Sequence, residues 1–366
     1  MSTPSIHVIG IGNLGKLLAH SLRRHHPEIP ITLLFHRPSL VEEWEKVGKC
    51  IEITRNGEID RQTGFTYETV PDGKSEIQNL IVATKTHSTV QALRALRDRL
   101  GPRTTLLFTQ NGIGTYSPIR WFRFTLKYLG TTDEVTSQLF SQSSSRPNYL
   151  GGIINHGVYA TSTFSSVHAG LASAFIGPIS SSPEEVNTSV NKPSTPFLAQ
   201  KIAECPELTA SIVTAEELFH IQLQKLVVNA VINPLTSIFD CYNGELFQNG
   251  AILGLIDQVI SEISAVTLAI LDSKGQLGDA NLRARFSQGV LTEHVYSVGE
   301  QTARNISSMR QDVLAGRKTE IDYINGYVVK QGKELGVDCP INATIVEMVK
   351  DKRKISISEI PKWFKW

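Results

Sequence analysis

The stretch KLVVNAVINP (Lys225–Pro234) places one cation and two carboxamides, Lys225, Asn229 and Asn233, at every fourth residue. In a helix that spacing stacks them on one face. Every residue between them is apolar, as expected of a buried helix. A narrow polar stripe on such a helix either lines a cleft or joins a polar network buried between helices. The first reading suits carbonyl chemistry. An ammonium polarises a ketone oxygen and delivers a proton as that oxygen becomes an alkoxide. The amides are neutral groups that hold a carboxylate or a hydroxyl.

A second constellation lies near the N-terminus. Gly10-Ile11-Gly12-Asn13-Leu14-Gly15 follows the strand-like IHVI and precedes a helix-like run. In that context the glycines permit a tight turn and close backbone approach to a pyrophosphate. The helix then aims unpaired amides and its positive dipole end at the negative charge. The second predicted strand ends Leu33-Leu34-Phe35-His36-Arg37, with no acid to take a ribose 2′-hydroxyl. A carboxylate there would repel a 2′-phosphate, whereas the Arg37 guanidinium can grip one. NADP(H) is therefore the expected cofactor. Two more predicted strand ends carry Lys85 and Asn111, at the sheet edge where open α/β sheets bind ligand.

The elements that must position these residues divide into two. Ile6–Ile9, Ile31–Phe35, Leu80–Ala83 and Leu106–Thr109 read as buried strands, with helical patterns at Leu14–Arg24 and Thr89–Leu100. That alternation predicts a parallel sheet with helices on its faces. Gly151–Ile176 reads as further strands of the sheet, and Gly130–Pro147 and Ser180–Pro196 as Ser/Thr-rich surface loops. From Ala215 the pattern turns helical, at Glu216–Ile232, Ile252–Ser273, Gly289–Asn305 and Thr319–Leu335. The length of 366 residues exceeds what one core usually organises. The expected division is a Rossmann-type domain over 1–211 and a helical domain over 212–366, with the boundary near residues 208–214.

Composition narrows the function classes. Lys+Arg number 36 and Asp+Glu 35, a balance that argues against a nucleic-acid binder relying on bulk positive charge. The most apolar stretch, Ala251–Leu271, carries Asp257 and Glu262, so no membrane span is expected. Four cysteines without CxxC spacing point to a reducing compartment. Met1–Ser5 lacks a basic signal region and KWFKW is no address signal, so a cytoplasmic location is expected.

Taken together, the glycine turn, KLVVNAVINPLTSIFDCYNGEL (Lys225–Leu246) and NISSMRQDVLAGRKTEIDYING (Asn305–Gly326) resemble the ketopantoate reductase (2-dehydropantoate 2-reductase) family. The resemblance covers nearly the whole chain. It implies a Rossmann domain followed by an all-helical domain similar to that of 6-phosphogluconate dehydrogenase, with the site in the cleft between them. It implies NADP(H) contacts from Gly10, Ile11, Gly12, Asn13, Leu14, Gly15, Arg37, Lys85 and Asn111. Lys225 would be the general acid, Asn229, Asn233, Asn243 and Ser308 would bind substrate, and Glu320 would sit beside Lys225 and the cofactor. The implied reaction is NADPH-dependent reduction of 2-dehydropantoate to pantoate, feeding pantothenate and coenzyme A synthesis, with no metal.

Extra residues near 115–150 and 180–197 depart from the compact family pattern and weaken the carry-over around His156–Val158. Two alternatives stand beside this reading: a reductase of another 2-ketoacid, and a non-catalytic NADPH-binding regulatory protein. The intact Lys225, Asn229, Asn233, Ser308 and Glu320 set speaks against the second. The expected partner is a small-molecule 2-ketoacid, with no nucleic acid and no membrane; homodimer formation is left open.

Overall fold

Alternate residues of β1 (Ile6–Ile9) and β2 (Ile31–Phe35) feed two cores, one on each face of a sheet. Ile6, Val8, Leu33 and Phe35 pack with Leu17, Leu18 and Leu22 of helix α1 (Asn13–His25). Ile9 and Leu34 pack on the opposite face with Leu93, Leu96 and Phe108. The computed structural model describes residues 4–70, 72–110, 131–179 and 195–365.

The remaining strands are β3 (Ile51–Arg55), β4 (Glu58–Gln62), β5 (Thr66–Thr69), β6 (Asn79–Val82), β7 (Thr105–Phe108), β8 (Asn148–Ile154), β9 (Gly157–Ala160), β10 (Ser165–Gly170), β11 (Ala174–Pro178) and β12 (Ala210–Ile212). The main sheet runs β12-β11-β8-β7-β6-β1-β2-β5. Its strands from β8 to β5 are parallel, and β11 turns antiparallel to β8. Helices α2 (Pro38–Lys46) and α3 (Thr86–Arg94) follow β2 and β6. The order reverses direction beside β1, the switch point where open α/β sheets bind ligands. This is the Rossmann-like architecture expected.

Two expectations are corrected. Gly130–Pro147 is not simply a surface loop: Thr131–Leu139 forms helix α4, and Val135 and Phe140 are fully buried. Their apolar surface joins the core around Leu93 and Leu96, and the Arg97 guanidinium lies over the Phe140 ring at 4.5 Å. Likewise, not every strand of Gly151–Ile176 extends the main sheet. β8 and β11 do, whereas β9 and β10 join β3 and β4 in a separate sheet ordered β4-β3-β10-β9. Side chains of α1 hold that hairpin: Asn13 Nδ2 donates to the Val158 carbonyl at 3.1 Å, and Lys16 Nζ to those of Ser162 and Ser165 at 2.9 and 3.0 Å.

The His156 stretch has a structural task of its own. Arg55 Nε donates to His168 Nδ1 at 3.2 Å, His168 Nε2 to His156 Nδ1 at 3.0 Å, and His156 Nε2 to the Leu208 carbonyl at 2.8 Å. A carbonyl only accepts, so the direction of the relay is set from that end. Both rings stay neutral in it, and burial pushes His168 down to about 4.

Among the described residues, the first unit ends at Phe219 and the second begins at His220, inside helix α6 (Ala215–Ile238) rather than in the segment before it. Helix α5 (Phe197–Ala203) belongs to the first unit. The first turn of α6 stays with that unit because Leu218 packs against Gly151 and Gly177, where any larger residue would meet it.

The second unit is helical: α7 (Gly250–Ser273), α8 (Ala280–Arg285), α9 (Gln288–Gln301), α10 (Ser308–Leu314), α11 (Asn325–Leu335) and α12 (Pro340–Lys350) join the rest of α6. By length and composition α7 could cross a membrane, yet Leu255, Ile256, Val259, Ile260 and Ile263 are fully buried within the protein. Its Glu262 accepts from the backbone N–H groups of Ile341 and Asn342, capping α12.

Candidate active site

At the first unit's switch point, the paired register sets Ile9 beside Leu34 on one side and Val82 on the other. Three loops therefore leave the sheet at one level: Gly10–Gly12, His36–Arg37 and Ala83–Lys85. Gly10 has φ +92°, and a Cβ there would lie 2.6 Å from the Ala83 carbonyl carbon. A Cβ on Gly15 would lie 2.0 Å from the Gly10 carbonyl oxygen. Both glycines close the strand-turn-helix joint.

Gly12 is different. It is the N-cap of α1 with no side-chain cap, and an added Cβ would meet nothing within 4 Å among the described residues. Open space beside uncapped helix amides is the cradle a pyrophosphate requires, so the residues present fit a dinucleotide. Gly12→Ala should leave Tm within a degree or two, since its φ of −77° suits alanine, but weaken NADPH by about tenfold or more by blocking that approach. Titration of the purified variant by NADPH fluorescence checks this; unchanged affinity would detach the turn from the cofactor.

Arg37 is the N-cap of α2 and is 55% exposed, its guanidinium 4.0 Å from Glu43. Lys85 is the exposed N-cap of α3. Ile11 and Leu14 belong to the turn and the first turn of α1, and the Asn13 side chain is committed to Val158, leaving its backbone N–H for a ligand. Asn111 lies outside the described residues.

In the second unit, α6 carries Lys225, Asn229 and Asn233 as the spacing requires. Lys225 keeps some exposed surface, but burial of its ammonium pushes its pKa down to about 8, against the opposing pull of the Glu320 carboxylate. Glu320 is 6% exposed and immediately precedes the single turn Ile321–Tyr323. A desolvated ammonium that feels the field of a nearby carboxylate, on a face shared with two carboxamides, is equipped to give a proton near neutral pH. Asn243 is buried; its Nδ2 donates to Thr302 Oγ1 at 3.1 Å, and its Oδ1 has no partner among the described residues. Ser308 is exposed at the start of α10.

The family model for Ketopantoate reductase PanE/ApbA matches residues 6–181, and that for Ketopantoate reductase PanE/ApbA C terminal matches residues 217–353. The chain belongs to the ketopantoate reductase family. A ketoisovalerate reductase of Gibberella fujikuroi is 31% identical, covering 93% of this chain and 81% of that protein. The 2-dehydropantoate 2-reductase of Saccharomyces cerevisiae is 29% identical, covering 94% of this chain and 93% of that one. Among solved structures, D-mandelate dehydrogenase with NADH and anilino(oxo)acetate superposes with a TM-score of 0.72 at 18% identity, covering 95% of this chain and 97% of that one. That likeness concerns the fold.

Within this member of the ketopantoate reductase family, residues that sequence reasoning missed tie the site together. Ser307 is the buried N-cap of α10, accepting from Arg310 N at 3.1 Å. Its Oγ lies 2.7 Å from Thr236 Oγ1 and 3.4 Å from the Asn233 carbonyl. One hydroxyl pair thus links the end of the α6 stripe to the helix that presents Ser308. The Thr236 signal was present in the sequence, since a hydroxyl two residues after a helical proline is placed to serve nearby carbonyls.

Proposed function

We propose that this ketopantoate reductase family member catalyses NADPH-dependent reduction of 2-dehydropantoate to pantoate, with Lys225 as the general acid. The observation that carries the reading is the desolvated Lys225 ammonium facing Glu320 from a helix that also bears Asn229 and Asn233. When bound, the dinucleotide supplies hydride to the ketone carbon. The turn Gly10–Gly15 would hold its pyrophosphate, Arg37 would take the 2′-phosphate, and Lys85 and Asn111 would complete the contacts. The carboxamides of Asn229, Asn233 and Asn243 and the Ser308 hydroxyl orient the substrate's carboxylate and hydroxyl. Lys225 Nζ gives its proton to the ketone oxygen as negative charge develops there, and Glu320 keeps that ammonium charged. From the cysteine spacing, a reducing compartment and so the cytoplasm is the location proposed.

A second reading is favoured by the ketoisovalerate reductases among the relatives, at 29% and 31% identity over 94% and 93% of this chain. The two acids differ by a hydroxymethyl group. A site that hydrogen-bonds a substrate hydroxyl rejects the analogue lacking it strongly. With NADPH saturating, kcat/KM for 2-dehydropantoate should exceed that for ketoisovalerate by roughly 100-fold or more. A reversed ratio would move the assignment to ketoisovalerate.

A further inference from the structure

Pro234 lies inside α6 and has no N–H to give to the carbonyl of Ala230, one helical turn earlier. Ala230 is fully buried, so that carbonyl has no recourse to water. Asn325 Nδ2 takes its place as donor at 2.9 Å. The same nitrogen donates to Asn342 Oδ1 at 2.9 Å, and Asn342 Nδ2 donates to Glu262 Oε2 at 2.7 Å.

The direction of this chain is forced. The Glu262 carboxylate, already capping α12, can only accept. Asn342 must therefore turn its NH2 towards Glu262 and its oxygen towards Asn325, which leaves Asn325 to donate to Ala230. Asn325 Oδ1 is correspondingly left buried without a partner among the described residues, and both asparagines are 0% exposed. Ala230 adjoins Asn229, and Asn325 follows the single turn that begins after Glu320.

We propose that Asn325 is a positioning residue for the reaction. By replacing the hydrogen bond that Pro234 removes, it clamps α6 at Ala230, next to Asn229, to the start of α11, shortly after Glu320. This rests on Lys225 being the proton donor. A continuous helix would satisfy Ala230 by itself and remove the need for the Asn325 contact; the proline opens the carbonyl to an outside partner.

The test compares wild type with Asn325→Ala, Asn325→Asp, Pro234→Ala and the double variant Asn325→Ala/Pro234→Ala. It reads kcat, both KM values, the pH profile of kcat, and Tm. Asn325→Ala should lower kcat by about tenfold or more, the scale of a misplaced catalytic group. The KM for NADPH should hold within about twofold, and the alkaline limb of kcat should move to lower pH as Lys225 loses Glu320's support. Asn325→Asp should be worse, because a carboxylate would face two carbonyl oxygens. In the double variant residue 234 regains an N–H, so Tm should recover while kcat stays low.

Recovery of kcat together with Tm would overturn the proposal, because satisfying the carbonyl would then suffice. A lower Tm with unchanged kcat and pH profile in Asn325→Ala would overturn it as well. If the Asn325 variants do not fold, Pro234→Ala alone decides, with a lowered kcat and displaced limb expected and a wild-type profile contradicting. Failure of the Lys225 reading is separately visible, as wild-type turnover in Lys225→Ala.

Discussion

Replacing Lys225 with alanine lowers kcat for 2-ketoacid reduction by roughly 10²–10⁴-fold, the usual scale for losing a general acid. NADPH affinity stays within a few-fold, because the proposed cofactor contacts, the glycine turn and Arg37, are untouched. The expectation follows from where the ammonium sits. Burial brings its pKa down to about 8 and the Glu320 carboxylate resists that fall. The charged form donates, so reduction is fully active well below pH 8 and falls to about half as pH reaches it. Glu320→Gln removes the group that supports the charge, so its alkaline limb moves to lower pH. Stopped-flow turnover across pH 6–10 on both variants measures this. Near-wild-type turnover in Lys225→Ala would remove it from proton transfer.

In Arg37→Ala, NADPH binding weakens by roughly 10–100-fold while NADH binding hardly changes. That range corresponds to losing one charge-assisted hydrogen-bonded contact of about 1.5–3 kcal/mol. The residue stands at the C-terminal end of β2, level with the glycine turn, and among the described residues its exposed guanidinium makes a distant contact with Glu43, at 4.0 Å. It has little to give up in the free protein and a 2′-phosphate to gain. Dissociation constants for the two nucleotides, measured on wild type and variant, give the ratio. Equal weakening of both would mean that Arg37 does not read the phosphate.

These expectations trace to features of unequal legibility. The glycine turn, strands β1 and β2 and the Lys225 stripe announce themselves, because each is local and its period is set by backbone geometry. Helix α4 is hidden by its Ser and Thr content: Val135 and Phe140 acquire their role from Leu93 and Leu96, which are distant in sequence. The second sheet is hidden for a similar reason. β10 pairs in parallel with β3, a non-local match that Asn13 and Lys16 help to hold in place. Lys16, directly after Gly15, could pass for a phosphate ligand by position, yet its ammonium is spent on two hairpin carbonyls. Pro234 reads as a helix breaker in isolation, but α6 continues past it because Asn325, Thr236 and Ser237 serve the carbonyls around it. No local pattern encodes that repair.

The most direct measurement of the central claim is NADPH consumption by the purified protein at saturating 2-dehydropantoate, followed by absorbance and with pantoate quantified. The account predicts one pantoate formed per NADPH consumed in wild type, and a loss of both by 10²-fold or more in Lys225→Ala. NADPH bound tightly by wild type, with no absorbance loss against 2-dehydropantoate or ketoisovalerate, would contradict it and leave a nucleotide-binding protein without turnover.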